Sequence, residues 1–203
     1  MQTRNALKVA APLAAVALLA TGTLATAEGS TTPGPSTTSS HPTHQQSWKR
    51  QLTQALPSLG HRNWIVVADS AYPQQTSAGV TTIVTNAGQA QVVRDVVALL
   101  DQQKHVKPHV QVDKELSYVP EKSAPGITSY RADLKKILGS QEVKPVLHAD
   151  LISKLDTAGK QFNVIVLKTT MTLPYTSVFF ELDAKYWDPQ RETELRKLME
   201  QGQ

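Results

Sequence analysis

The chain contains no cysteine. That excludes a disulfide framework, thiol chemistry and Cys-ligated metals, so stability must come from an ordinary apolar core. A membrane-spanning run is missing too: Val9 to Ala20 is apolar but broken by Pro12, and it falls well short of the ~20 residues that cross a bilayer. No stable membrane anchor is expected. The sequence also has no glycine-rich phosphate loop, no nucleophile elbow and no His-Glu-x-x-His, which weakens the case for nucleotide chemistry, serine hydrolysis and zinc proteolysis. Basic residues stand singly apart from Lys49-Arg50 and Lys135-Lys136, without interleaved aromatics. Nucleic acid is therefore not an expected partner.

What is present begins with an address. Arg4 and Lys8 precede the apolar run, and Ala25-Thr26-Ala27 before Glu28 is the small-x-small pattern of a cleavage site. Residues 1–27 read as a signal peptide, and the protein as exported, periplasmic or secreted. Without Arg4 and Lys8, 19 basic side chains face 17 acidic ones, a net charge of about +2 that points to no highly charged partner. Residues 28–47 hold no aliphatic side chain after Glu28, too little apolar surface to offset the entropy of ordering, and read as a disordered linker. His41 and His44 lie in it, and Pro42 argues against the helix on which they could share a metal. Roughly 155 residues follow from Trp48, enough for one domain, 48–203.

Within that domain the stretch from Leu59 to Pro73 organises the rest. Trp64 to Ala68 is five apolar residues with a β-branched centre, the pattern of a strand covered on both faces. His61 precedes it after Gly60, a residue suited to unusual turn dihedrals, and Asp69 closes its carboxyl end, where open α/β sheets place ligands. Eight positions of extended chain span roughly 25 Å. The two can share a site only if the turn folds back or a second subunit completes it.

Further along, Ser47 is an expected cap for a helix carrying Leu52, Leu56 and Leu59. Residues 79–85 read as a strand, and Asn86 with Gln89 reads as a capping box for a helix to about Lys104. Pro108 to Val112 suggests a third strand. Thr128 is an expected cap for a helix closed by Gly139, and residues 145–148 an extended piece ending on His148, before a helix near Asp150 to Ala158. Residues 162–167 and 176–182 read as buried strands around a loop ending on Tyr175, and Asp188-Pro189 opens a final helix. The alternation predicts a three-layer α/β/α domain with a central, largely parallel or mixed sheet.

The segment Leu59-Gly60-His61 through Asp69-Ser70-Ala71-Tyr72-Pro73, with Pro174-Tyr175-Thr176-Ser177-Val178, resembles the D-ribose pyranase and L-fucose mutarotase (RbsD/FucU) family. Its members carry a Leu/Met-Gly-His, a hydrophobic strand, Asp-Ala with a nearby proline, and a late Tyr-x-Asn opening a final strand. The resemblance covers most of residues 48–182. It implies that His61 is the catalytic histidine with Asp69 as the acidic residue after the strand. It also implies that His148, Tyr175, Ser177 and Asn63 bind substrate, with no metal and no cofactor. Asn63 departs from the family's usual acidic residue and Ser177 from its asparagine. The function implied is isomerisation of a free monosaccharide between anomers or ring forms, by histidine-mediated proton transfer. The alternative is a non-catalytic exported monosaccharide-binding module on the same fold. A homo-oligomer, ring-shaped in the family's manner, is the implied partner state.

Overall fold

The computed structural model describes residues 44–202, with side chains described from Trp48. The signal peptide, His41, and the linker as far as residue 43 lie outside the described residues. Six strands form one sheet in the order β2-β5-β1-β6-β3-β4. They are β1 Trp64–Ala68, β2 Val80–Val84, β3 Val106–Asp113, β4 Val143–Val146, β5 Val164–Lys168 and β6 Val178–Ala184. β1 pairs parallel with β5, as β2 does with β5 and β3 with β4, whereas β6 runs antiparallel to both β1 and β3. The sheet is mixed.

All five residues of β1 are buried, as an apolar strand at the middle of a covered sheet requires. Alternation divides them. Ile65 and Val67 pack with Ile165, Leu167 and Phe180 against the helices α1 (His44–Ala55), α2 (Gln89–Asp101) and α3 (Ile127–Leu138). Trp64, Val66 and Ala68 pack with Val166 and Phe179 against Leu151 and Leu155 of α4 (His148–Ala158). Helices on both faces make the three layers. The last helix, α5 (Pro189–Gln201), buries no side chain. Asp188 caps it, accepting from the Arg191 backbone N–H, with Pro189 in the first turn as the sequence predicts.

Three helix starts differ from expectation. α1 begins at His44, so Ser47 lies inside its first turn. Asn86 has a left-handed φ of 51°, which no N-cap adopts, and Gly88 takes that place. Gln89 is not a capping partner, because its amide is buried in the sheet's end. Gly126, at φ 98°, precedes α3 in place of Thr128, and the Glu121 carboxylate accepts from the backbone N–H of Gly126 and of Thr128. β3 runs longer than its apolar core because Pro108 is tolerated. Its partner Leu182 turns both backbone groups toward the β1 side, to Asn63 and Arg62, so no ladder bond is lost there.

Gly79 marks where β2 enters the sheet. Its N–H donates to Gly159 and its carbonyl accepts from Val164, and an added Cβ would collide with the carbonyl oxygens of Phe162 and Gly159. Because those are backbone atoms, nothing can step aside cheaply. Gly79→Ala should cost about 1–3 kcal/mol, read as a Tm fall of roughly 2–4 °C per kcal/mol in a chain this size. An unchanged melt would show that β2 and the end of α4 can move apart.

Candidate functional site

The carboxyl ends of β1, β3 and β4 and the loop entering β6 bring Asp69, Asp113, His148 and Tyr175 to one end of the sheet. Asp69 Oδ1 accepts from the Ala71 N–H at 2.8 Å, so one carboxylate oxygen shapes the turn. Asp113 is the last residue of β3, and its Oδ1 lies 2.9 Å from His148 Nδ1. Burial pushes the Asp113 carboxyl up to about 6, against the pull of His148, with the charges of Glu115 and Asp69 adding to the rise. Tyr175 meets His148 edge to face, ring centroids 5.5 Å apart. It does so at a φ of 57°, a conformation that strains any side chain larger than glycine.

A buried polar network holds that loop. Gln89 Nε2 donates to the carbonyls of Val67 and Thr176, while Thr169 Oγ1 donates to Gln89 Oε1 at 2.6 Å. Tyr130 adds a second donor to the Thr176 carbonyl, also at 2.6 Å. In the core layer of α4, Tyr72 is buried with its hydroxyl unpartnered among the described residues, and burial, then the charges of Asp156, Asp113 and Asp69, push it up to about 12. Ser177 Oγ is buried and unpartnered as well. In this conformation the Ser177 hydroxyl is closed off from any ligand.

His61 and Asn63 lie at the opposite end. The Gly60-to-Asn63 turn closes on itself: Asn63 Oδ1 accepts from the Gly60 N–H at 2.7 Å, and the positive φ falls on Arg62, at 72°, rather than on Gly60. Asn63 Nδ2 donates to the Asn163 carbonyl, so the amide ties the turn down. His61 does not fold back over β1. Its Nδ1 lies 2.7 Å from Asp183 Oδ1, and His109 Nε2 lies 3.1 Å from the other Asp183 oxygen. Partial burial pushes the Asp183 carboxyl up, but these histidines and the Ala184 N–H together hold it below the ordinary carboxylate range. His61 is 64 % exposed. One chain therefore carries the sequence-predicted residues in two groups that it does not join: Asp69, His148, Tyr175 and Ser177 at one end, His61 and Asn63 at the other.

Sequence reasoning missed Asp113, Glu115, Gln89, Tyr72 and Asp183. Asp113 and Asp183 each follow or close a β-branched or apolar strand as Asp69 does, and that shared placement was the available signal. No group of three or more His, Asp or Glu among the described residues is arranged to hold a metal ion. No helix among them is long and apolar enough to cross a membrane. A cleft of about 510 Å³ lies away from the His148 cluster, lined by Lys107, His109, Lys144, Lys154 and Glu181 among others.

The buried Ser177 hydroxyl gives a direct test of how tightly this end is packed. Ser177→Ala should melt at or slightly above wild type, since the hydroxyl has no partner to lose. Ser177→Asn, which restores the family's residue, should instead lose about 1–3 kcal/mol through overpacking. Equal stability of the Asn variant would show that the loop yields.

No curated protein sequence matches the chain. Among solved structures, it is similar to Bacillus subtilis RbsD complexed with D-ribose, at 22% identity over 66% of this chain and 91% of that one, with a TM-score of 0.45. It is also similar to a fucose mutarotase from Streptococcus pneumoniae in complex with L-fucose, at 16% identity over 71% and 97%, TM-score 0.47. A third likeness is FucU from Bifidobacterium longum, at 11% identity over 66% and 94%, TM-score 0.46. The family signature described as RbsD / FucU transport protein matches residues 44–184, and the chain belongs to that family, which includes sugar mutarotases and pyranases.

Proposed function

We propose that this protein is an exported sugar mutarotase or pyranase, acting on a free monosaccharide at a site that two copies of the chain build together. The observation that carries the reading is the split just described. Asp69, His148 and Tyr175 form a half-site at the carboxyl end of the sheet, and an exposed histidine held by a carboxylate waits at the other end. A head-to-tail contact would bring His61 of a second copy to the half-site, and repeating that heterologous contact builds a ring where its rotation closes. An incomplete half-site also explains why the described clefts lie elsewhere.

Ring opening takes the proton from the anomeric hydroxyl while the ring oxygen receives one, and closure after rotation of the aldehyde reverses both transfers. Imidazole, with an ordinary pKa near 6.5, gives and takes protons at neutral pH and contributes on the order of 10²–10⁴-fold. His61 has Nδ1 on Asp183, which supports a charged ring, and its exposure leaves Nε2 accessible. Asp69 and Tyr175 supply hydrogen bonds to sugar hydroxyls. A second reading has its own support: Asn63 is consumed by its turn and Ser177 is buried, which favours a binding module without turnover.

Complementation separates these readings. His61→Gln and Asp69→Asn should each lower anomer exchange, followed by saturation-transfer NMR, by about two orders of magnitude or more. Mixed in equal amounts and allowed to exchange subunits, the two variants should regain up to about a quarter of wild-type activity, because a quarter of shared sites then hold neither substitution. No recovery would reject a shared site. Saturable sugar binding by a wild type that exchanges no sugar would establish the binding module.

A further inference from the structure

A buried carboxylate stands behind His148 that the mechanism above does not use. The Asp113 side chain has no exposed surface, and the register pairing Asp113 with Val146 sets it two residues from His148. The contact at Nδ1 is thus fixed by strand pairing. A second carboxylate, Glu115, accepts from the His148 backbone N–H on both oxygens at 3.1 Å. Ring and backbone are held separately, and the Tyr175 ring closes a third side. What remains is Nε2, on a side chain 39% exposed.

We propose that Asp113 is a positioning residue that keeps the His148 proton on Nδ1 and so leaves Nε2 as the in-chain base for the sugar's anomeric hydroxyl. The inference rests on the mutarotase reading. In the opening step Nε2 takes the O1 proton, the O1–H pair becomes the second C1–O1 bond, and the C1–O5 bond breaks with its pair staying on O5. The imidazolium of His61 from a second copy protonates O5. Closure on the other face of the aldehyde returns both protons, so nothing is consumed. Asp113 stabilises the His148 imidazolium in between.

A carboxylate kept only for structure would have both oxygens satisfied. Asp113 Oδ2 is buried with no partner among the described residues. The titratable and charged groups around the pair are Asp69 after β1, Glu115 after β3, and Tyr72 and Tyr175. After burial itself, the two carboxylates Glu115 and Asp69 oppose ionisation of Asp113. Between the ordinary 3.8 and about 6 the folded chain holds a proton that the unfolded chain has released. Stability therefore falls as pH rises through that window, and the cost is complete above it. A group retained at such a cost is what a functional site predicts.

The test is Asp113→Leu, which keeps a branched shape and removes both oxygens, with Asp113→Asn as the milder variant. Thermal melts from pH 4 to 8, long-range ¹H–¹⁵N spectra of the His148 ring, and anomer exchange are read on the whole mature protein. The Leu variant should melt at or above wild type at pH 8, with the difference gone near pH 4. Its neutral His148 ring should shift from the Nδ1–H toward the Nε2–H form. Exchange should fall about 10- to 100-fold, with the acid limb of its pH profile displaced to lower pH. The Asn variant should show the same displacement with a smaller loss. The proposal is overturned by a Leu variant that unfolds or melts lower at every pH together with an Asn variant of unchanged pH profile, or by a wild-type tautomer in the Leu variant. If wild type exchanges no sugar, the mutarotase reading falls alone, and the tautomer and the pH dependence of the melts still decide the role of Asp113.

Discussion

The antiparallel course of β6 between β1 and β3 is the constraint on which both ends of the molecule depend. In a wholly parallel sheet, loops at the carboxyl ends of the strands do the chemistry, and the amino ends serve stability. Here β6 enters beside Val67 and Val112 and leaves beside Lys107 and Val106. The loop carrying Tyr175 and Ser177 therefore opens at the carboxyl end of β1, while Asp183 closes at its amino end. Phe179 and Phe180 anchor this crossing, one in each core layer. At roughly 25 cal/mol per Å² of apolar surface removed from water, two buried phenylalanines at the sheet's centre fix its register firmly. A slip by one residue would exchange their faces and also turn Asp183 away from His61.

Strain at Tyr175 is sustained by polar groups rather than by this core. A tyrosine at positive φ costs on the order of 1–3 kcal/mol. The next residue, Thr176, offers its carbonyl to both Gln89 and Tyr130, and its own hydroxyl donates back to the Leu173 carbonyl. Net contributions of about 1 kcal/mol for each such bond are enough to offset the strain. Breaking them would leave donors buried without partners, which costs more than the bonds gain. The loop is over-determined, so the ring that meets His148 is held in place before any ligand arrives.

How much of this was legible in the sequence depended on distance along the chain. β1 declared itself because five apolar residues in a row have few other fates, and the cap of α5 because Asp188-Pro189 is a local signal. The misplaced start of α2 was decided by tertiary partners, the carbonyls on β1 and the β6 loop that hold Gln89, and that of α3 by the Glu121 carboxylate in the preceding loop, a contact outside the usual capping spacing. The same holds for the site. Asp69, His148 and Tyr175 stood out by chain position and by a family likeness. Asp113 and Asp183 did not, because their meaning lies in pairings of 35 and 122 residues' separation that no local pattern encodes.

These two carboxylates give the departures from the family a physical sense. Asn63 supplies no charge near His61, yet His61 rests on a carboxylate all the same, brought from β6. His148 rests on another, brought from β3. In both pairs the contact is made at Nδ1, so each ring turns its other nitrogen outward. The environments differ in sign, however. Asp183 is shared by two histidines, with Lys107 4.0 Å away, and keeps its charge further into acid than an ordinary carboxylate. Asp113 is buried, with Glu115 and Asp69 near it, and its carboxyl is pushed up to about 6. The chain thus carries two histidine–carboxylate pairs in opposite electrostatic settings, at opposite ends of one sheet.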